Sequence, residues 1–108
     1  MFSVKVVKLY GEIDISNIDE INGILKSVAD ESPHGFIIDL SQVTYIDSSF
    51  IRSILKTCVR LSETRGILIL RIINDRIRHI LEVIGIDKLL NLEIYDTLEA
   101  AKTRLSEL

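Results

Sequence analysis

The chain has 108 residues, which is the length of one small domain and is enough to bury a hydrophobic core. Apolar residues make up 47% of the chain and charged residues 27%, a globular composition that excludes intrinsic disorder. The formal net charge is −3, and basic residues are scattered among acidic ones, which argues against a nucleic-acid-binding protein.

Hydropathy and cysteine content limit the cellular setting. No apolar segment approaches the roughly 18 residues that a transmembrane helix requires, and the first residues lack the apolar core of a signal peptide. The single cysteine, Cys58, excludes an internal disulfide. We therefore expect a cytoplasmic protein without membrane insertion, with residues 1–108 forming one domain.

The first predicted elements are a strand, a helix and a second strand. Residues 4–10 are apolar and β-branched and are followed by Gly11, which is typical of a strand. Between residues 15 and 29, apolar residues recur at intervals of three and four, which predicts an amphipathic helix. Residues 36–40 are apolar almost throughout, as in a parallel sheet that is covered on both faces.

A polar loop is predicted over residues 41–47, followed by a second amphipathic helix over residues 48–65. We expect Gly66 to end this helix as a C′ glycine, the position where left-handed backbone is common. Residues 67–72 are again nearly continuously apolar and predict the third strand.

The remaining segment predicts a third helix that is capped by Asn74 or Asp75 and closed by Gly85. A fourth strand over residues 92–95 follows, and then a last helix that is capped by Asp96 or Thr97. Regular alternation of short apolar strands with amphipathic helices predicts a single α/β domain. We expect a mostly parallel sheet of four to five strands with about four helices.

The segment most suggestive of function is residues 43–49, which read Val-Thr-Tyr-Ile-Asp-Ser-Ser. It lies between a buried strand and a helix, at the sheet edge where open α/β proteins gather their functional groups. Asp47 or Ser48 can cap the helix by accepting a hydrogen bond from a first-turn amide. From this stretch alone, capping is the more common role.

A second motif follows the first strand, where residues 11–14 read Gly-Glu-Ile-Asp. With both motifs in this strand–helix order, the chain resembles the STAS family, and within it the bacterial anti-sigma-factor antagonists. The resemblance covers essentially the whole chain from Lys5 onward. Residues 43–49 are similar to the family signature, which is apolar-x-x-apolar-Asp-Ser-Ser/Thr.

The resemblance implies a regulatory binding module rather than an enzyme, without a cofactor or a metal. In that family the serine after the aspartate accepts a phosphate, and here that residue is Ser48. The unmodified protein binds an anti-sigma factor, which is a GHKL-type serine kinase, and so frees the sigma factor. The kinase uses ATP to phosphorylate the serine, the complex separates, and a cognate phosphatase resets the protein.

The same resemblance suggests the residues that border the docking surface, which are Asp14, Asp47, Ser49, Phe50 and Arg52. Two of them depart from the family pattern. Phe50 replaces a glycine, and we expect it to be exposed in the docking patch or to change which partner is accepted. Arg52 replaces a small or apolar residue. Its guanidinium could pair with a phosphate on Ser48 or with a nearby aspartate, or it could simply be solvated.

The N-terminus also departs from the family, which has another strand before the one that ends at Gly11. An open sheet edge can pair with another chain, so we expect a monomer or a weak homodimer. The departures at Phe50 and at the N-terminus give an alternative function more support than the standard family pattern would, although the phosphorylated antagonist is the leading prediction. In that alternative the domain is a scaffold or accessory subunit of a stress-sensing complex or a transporter, without phosphorylation.

Other candidate sites find less support in the sequence. Asp14, Asp39 and Asp47 could form a Mg²⁺ cluster for phosphoryl transfer, but Asp39 lies within a strand and no suitable lysine follows the later strands. His34 and His79 have no third ligand at a metal-binding spacing. The basic residues between positions 71 and 79 could contact an anion or a partner, but Asp75 and Glu82 lie among and beside them, as in most solvated faces.

Overall fold

The computed structural model describes residues 3–89 and 91–108. Within them, strands and helices alternate strictly along the chain. The strands are β1 (Val4–Ile13), β2 (Gly35–Ile46), β3 (Ile67–Arg71) and β4 (Leu92–Tyr95). The helices are α1 (Ile18–Ala29), α2 (Ser48–Ser62), α3 (Asp75–Ile84) and α4 (Leu98–Ser106), with a short 3-10 turn, Ile86–Lys88, after α3. The predicted α/β class is confirmed.

The four strands form one sheet in the order β1-β2-β3-β4, and each neighbouring pair is parallel. Both β1 and β3 pair with residues 35–39 of β2, whereas residues 42–46 of β2 pair with β1 alone. The carboxyl ends of β1 and β2 therefore extend beyond β3 as a two-stranded ribbon, and the segments that follow them start side by side.

The two faces of the sheet carry different numbers of helices. The larger core lies between the sheet and helices α1, α2 and α3; their buried apolar residues include Ile21, Leu25, Ile54, Leu61, Ile77 and Leu81. On the opposite face α4 packs its Ala101 and Leu105 against Ile37 and Ile69 of the central strands. Both central strands are thus covered on both faces, which explains their nearly continuous apolar sequences.

Strands β1 and β2 are longer than predicted. Residues 41–46 continue β2, so the predicted polar loop is wrong. Val43 and Ile46 point into the core while Gln42 and Thr44 are exposed, because one face of this ribbon is open to solvent. Gly11 does not end β1 but continues it with a positive φ of 71°, next to a shift in register.

The predicted ends of two helices also need correction. Helix α1 begins at Ile18 because the residues just before it form a turn, and α2 ends at Ser62 rather than at residue 65. The left-handed residue after α2 is Arg65, with φ of 61°, and not Gly66. Gly66 is instead required for close packing, since a Cβ there would lie 2.7 Å from the Pro33 carbonyl oxygen.

Other predicted helix ends are confirmed. The Asn74 side chain caps α3, and the Thr97 side chain caps α4. Gly85 closes α3 in the left-handed conformation.

No helix in the described ranges is long and apolar enough to cross a membrane. The prediction of a missing N-terminal strand falls partly on Met1 and Phe2, which lie outside the described residues.

Candidate functional site

The two sequence motifs meet at one edge of the sheet. Ile13 and Ile46 are partners in the β1–β2 ladder, and the Asp47 amide donates to the Ile13 carbonyl oxygen at 3.2 Å. The turn after β1 and the start of α2 are therefore neighbours, as expected where parallel strands end together. We call residues 14–17 and 47–52 together the carboxyl edge.

Asp47 joins the two halves of the carboxyl edge. It is the N-cap of α2, and its Oδ1 accepts hydrogen bonds from the Ser49 amide, at 2.9 Å, and from the Ser49 hydroxyl. Its Oδ2 accepts from the Ile15 amide of the opposite turn, at 3.2 Å. The Ser49 hydroxyl, together with these amides, holds the pKa of Asp47 below its ordinary value, so the carboxylate is charged at neutral pH.

Asp14 shapes the turn after β1. Its Oδ1 accepts from the amide of Ser16, at 2.9 Å, and from the Ser16 hydroxyl. The Asn17 side chain accepts from the Asp14 amide at 3.0 Å and donates to the Glu12 carbonyl oxygen at 2.8 Å. This turn is closed by its own side chains, so Asp14 is a half-buried structural group at the border of the candidate surface.

The two consecutive serines of the motif lie in different environments. Ser48 is exposed at the first position of α2, and its hydroxyl makes no hydrogen bond with the described residues. Ser49 is only 7% exposed, and its hydroxyl is bound to Asp47. Of the two hydroxyls, only that of Ser48 is accessible to another protein.

Phe50 corrects one of the sequence predictions. Its side chain is fully buried, at 0% exposure, and belongs to the larger core, so it is not part of an exposed docking patch. It shares the buried face of α2 with Ile54 and Leu61, four and eleven residues later. That spacing is a helical stripe and was the available indication that Phe50 points inward. Phe50 therefore contributes to the hydrophobic core rather than to the exposed surface of the carboxyl edge.

Arg52 lies one turn into α2 and is exposed. Among the described residues it forms no ion pair and no hydrogen bond, so it contacts neither Asp14 nor Asp47 in the unmodified protein. Arg52 is a solvated cation beside Ser48.

Sequence reasoning missed two exposed apolar residues at this end of the sheet. Ile15, in the turn after β1, is 75% exposed, and Ile73, just after β3, is 54% exposed. Ile15 belongs to the carboxyl edge, where its amide is bonded to Asp47, whereas Ile73 follows the shorter strand β3. An isoleucine within the otherwise polar Asp-Ile-Ser-Asn turn was the sequence pattern that could have identified Ile15.

The remaining aspartate of the hypothetical Mg²⁺ cluster is separated from the carboxyl edge. Asp39 is fully buried and accepts hydrogen bonds from Arg71, at 3.1 Å, and from the Ser41 amide, at 2.9 Å. Burial raises the pKa of Asp39, but the bonds from Ser41 and Arg71 outweigh it and lower the pKa overall. Within residues 3–89 and 91–108, no three His, Cys, Asp or Glu side chains are grouped to hold a metal ion.

Comparisons with known proteins agree with this geometry. A family model described as the STAS domain matches residues 3–101. An anti-sigma-B factor antagonist of Staphylococcus epidermidis is 25% identical over 85 residues, which cover 79% of each chain. The crystal structure of an anti-sigma factor antagonist from Mycobacterium paratuberculosis is 28% identical with a TM-score of 0.83, covering 96% of this chain and 86% of that one.

The fold also occurs in proteins of another kind. A sulfate transporter family protein from Wolinella succinogenes has a TM-score of 0.78 at 22% identity, over 97% of this chain and 88% of that one. At this identity the likeness concerns the fold alone. Since the family model spans nearly all of the sequence, from the first described residue into α4, the chain belongs to the STAS domain family.

Proposed function

We propose that this chain is an anti-sigma-factor antagonist whose binding is switched by phosphorylation of Ser48. In the unmodified state it binds an anti-sigma factor of the GHKL serine-kinase type through the carboxyl edge. Phosphorylated Ser48 releases that partner, and a phosphatase restores the unmodified form. Relatives that are named anti-sigma factor antagonists, one from Staphylococcus epidermidis and one from Mycobacterium paratuberculosis, support this assignment.

The observation that carries the proposal is the contrast between the two serines. A kinase must bring the γ-phosphorus of ATP to a hydroxyl that is accessible and not already committed to a strong hydrogen bond. Ser48 meets both conditions, whereas Ser49 is nearly buried and bound to Asp47. In the transfer, the Ser48 Oγ–P bond forms as the bond between the γ-phosphorus and the bridging oxygen breaks. ADP leaves, and the kinase takes the hydroxyl proton.

The position of Ser48 allows a phosphate to change an interface without damaging the fold. The modification adds about −1.5 to −2 charges and three strong acceptor oxygens. The first turn of α2 tolerates an anion because its free amides and the helix dipole favour negative charge. A partner surface packed against the carboxyl edge would face a new charge that it must desolvate, so the complex should weaken while the domain stays folded.

Features of the edge strand β1 favour action as a monomer. Among the described strands, β1 pairs only with β2, and its outer edge is free. Lys5 and Lys8 lie on β1, and its pairing with β2 shifts register twice. Charged lysines and irregular register discourage the pairing of edge strands between molecules.

The first test is incubation with ATP and GHKL-type serine kinases, followed by intact mass and site mapping. We expect one phosphate on the wild-type protein and on Ser49→Ala, and none on Ser48→Ala. Ser49→Ala is the matched control, because it removes the neighbouring hydroxyl. Phosphate incorporated into Ser48→Ala, or no incorporation into a folded wild-type protein by any such kinase, would contradict the proposed switch.

A binding measurement separates the switch from the alternative of an unmodified scaffold. With a kinase that modifies Ser48, we expect Ser48→Ala to bind as tightly as wild type and Ser48→Asp to bind at least about tenfold more weakly, a loss of about 1.4 kcal/mol. Isothermal titration calorimetry gives both values. Equal affinities for the two variants would favour a scaffold or accessory subunit, since only a switch requires the charge at residue 48 to control binding.

A further inference from the structure

Arg52 is the one cation close to the proposed phosphorylation site in sequence and on the helix. Residues 13–17 and 47–55 contain two aspartates and no other lysine or arginine. Ser48 and Arg52 are both exposed and lie four residues apart on α2. Arg52 has no bonding partner among the described residues, so its guanidinium is available.

Helix geometry directs Arg52 towards Ser48. Residues at positions i and i+4 are neighbours on a helix surface, with Cβ atoms about 5–6 Å apart. Side chains on a helix lean towards its N-terminus, so the long chain of Arg52 extends over the turn that begins with Ser48. An anion at position i with a cation at i+4 is also the more favourable order of such a pair.

The charges around Ser48 make this cation important after modification. The charged carboxylate of Asp47 directly precedes Ser48 and is fixed by its bonds to Ser49 and Ile15. Asp14 occupies the adjoining turn and is held there by Ser16. A phosphate on Ser48 would therefore be placed close to fixed negative charge, and a nearby cation would reduce the repulsion that the helix N-terminus does not offset.

We propose that Arg52 binds the phosphate of phosphorylated Ser48 through its guanidinium, in the paired geometry that guanidinium and phosphate groups favour. This inference rests on the proposed modification of Ser48. It gives the switch two simultaneous effects at the carboxyl edge. Modification adds negative charge at Ser48. It also pairs the Arg52 guanidinium with the phosphate, so that Arg52 can no longer contact the partner protein.

The experiment uses the full chain with phosphoserine incorporated at position 48 during synthesis. Phosphorus NMR then follows the second pKa of the phosphoserine in three forms: otherwise unchanged, Arg52→Gln and Lys56→Gln. Lys56 is the matched control, because it is an exposed cation one further turn along α2. We expect Arg52→Gln to raise this pKa by about 0.5, because the dianion loses its partner, and Lys56→Gln to leave it nearly unchanged.

An unchanged pKa in Arg52→Gln would overturn the inference. So would an equal rise in both variants, which would show a general effect of net charge. Thermal melting of the unmodified variants checks that each is folded. Because the phosphate is introduced without a kinase, the result does not depend on the proposed function. An Arg52–phosphate pair could be found even if no kinase modifies Ser48, and the switch could operate without the pair.

Discussion

At the scale of single residues, one carboxylate connects two separate segments of the chain. Asp47 accepts three hydrogen bonds, two from Ser49 and one from Ile15, and its own amide binds the end of β1. Helix capping alone would need only the bonds within α2. The additional bond to Ile15 fixes the turn after β1 against the helix start, so Asp47 sets the shape of the surface around Ser48.

Asp47→Asn should reduce the stability of the folded protein and should also make that stability less dependent on pH. Because the pKa of Asp47 in the folded protein is below its ordinary value of about 3.9, the charged form contributes stability above that pH. This contribution is lost as the pH falls through the folded-state pKa. Urea midpoints at pH 7 and pH 3 should therefore differ less in Asp47→Asn than in wild type.

The control for this measurement is Asp87→Asn, which removes an exposed carboxylate from the short 3-10 turn after α3. We expect this variant to keep the wild-type difference between the two urea midpoints. If Asp47→Asn also keeps it, Asp47 is not among the carboxylates responsible for the acid sensitivity of the fold.

At the scale of elements, two glycines in similar sequence contexts have opposite structural roles. Gly23 lies on the exposed side of α1, where an added Cβ would meet nothing within 4 Å. Gly66 lies between α2 and β3, where an added Cβ would meet the Pro33 carbonyl oxygen at 2.7 Å. The junction before β3 is therefore closely packed against the segment that precedes β2, whereas the middle of α1 has space.

Gly23→Ala should stabilise the protein by about 0.5–1 kcal/mol, because alanine loses less backbone entropy than glycine when the helix forms. Gly66→Ala should destabilise it by about 1–3 kcal/mol, because backbone atoms must move to admit the methyl group. The free energy of unfolding in urea measures both changes. The interpretation of Gly66 would be wrong if its substitution stabilised the protein as Gly23→Ala does.

The sequence predicted the order of the elements because their apolar periodicities are clear. It did not predict the full length of β2. Gln42 and Thr44 are polar because they face solvent on the two-stranded ribbon, and in the sequence alone such polar residues are typical of a loop. The motif correctly placed the start of α2, with Ser48 at its first position, at the edge of the sheet where β1 and β2 end. The burial of Phe50 was not predicted, because a residue in the first turn of a helix can face either the core or the solvent, although its four-residue spacing from Ile54 is that of one helix face.

At the scale of the whole molecule, a cysteine in the core connects α2 to the segment before β4. The Cys58 thiol donates to the Asn91 side-chain oxygen at 2.8 Å. The Asn91 amide group donates in return to the carbonyl oxygens of Cys58, at 2.7 Å, and Gly66, at 3.3 Å. Burial raises the pKa of the Cys58 thiol to about 11. Its reactivity should therefore report the opening of this core.

We expect Cys58 to resist Ellman's reagent at pH 8 in the native protein and to react at once in denaturant. With a pKa of about 11, only about one thiol in a thousand is ionised at that pH, and the side chain is buried. Ser27→Cys, which adds an exposed thiol on α1, provides the control. One thiol should react quickly in the native variant and two after unfolding. Equal rapid reaction of both native thiols would show that this core opens readily.

The consecutive order of the strands has a consequence for synthesis on the ribosome. Each strand pairs with the one made just before it, so the sheet can grow from the N-terminus as the chain emerges. Helix α4 follows the fourth strand and covers Ile37 and Ile69, so the second face of the sheet stays uncovered until α4 has been made. During that interval a nascent chain would expose a small apolar surface that the finished protein hides.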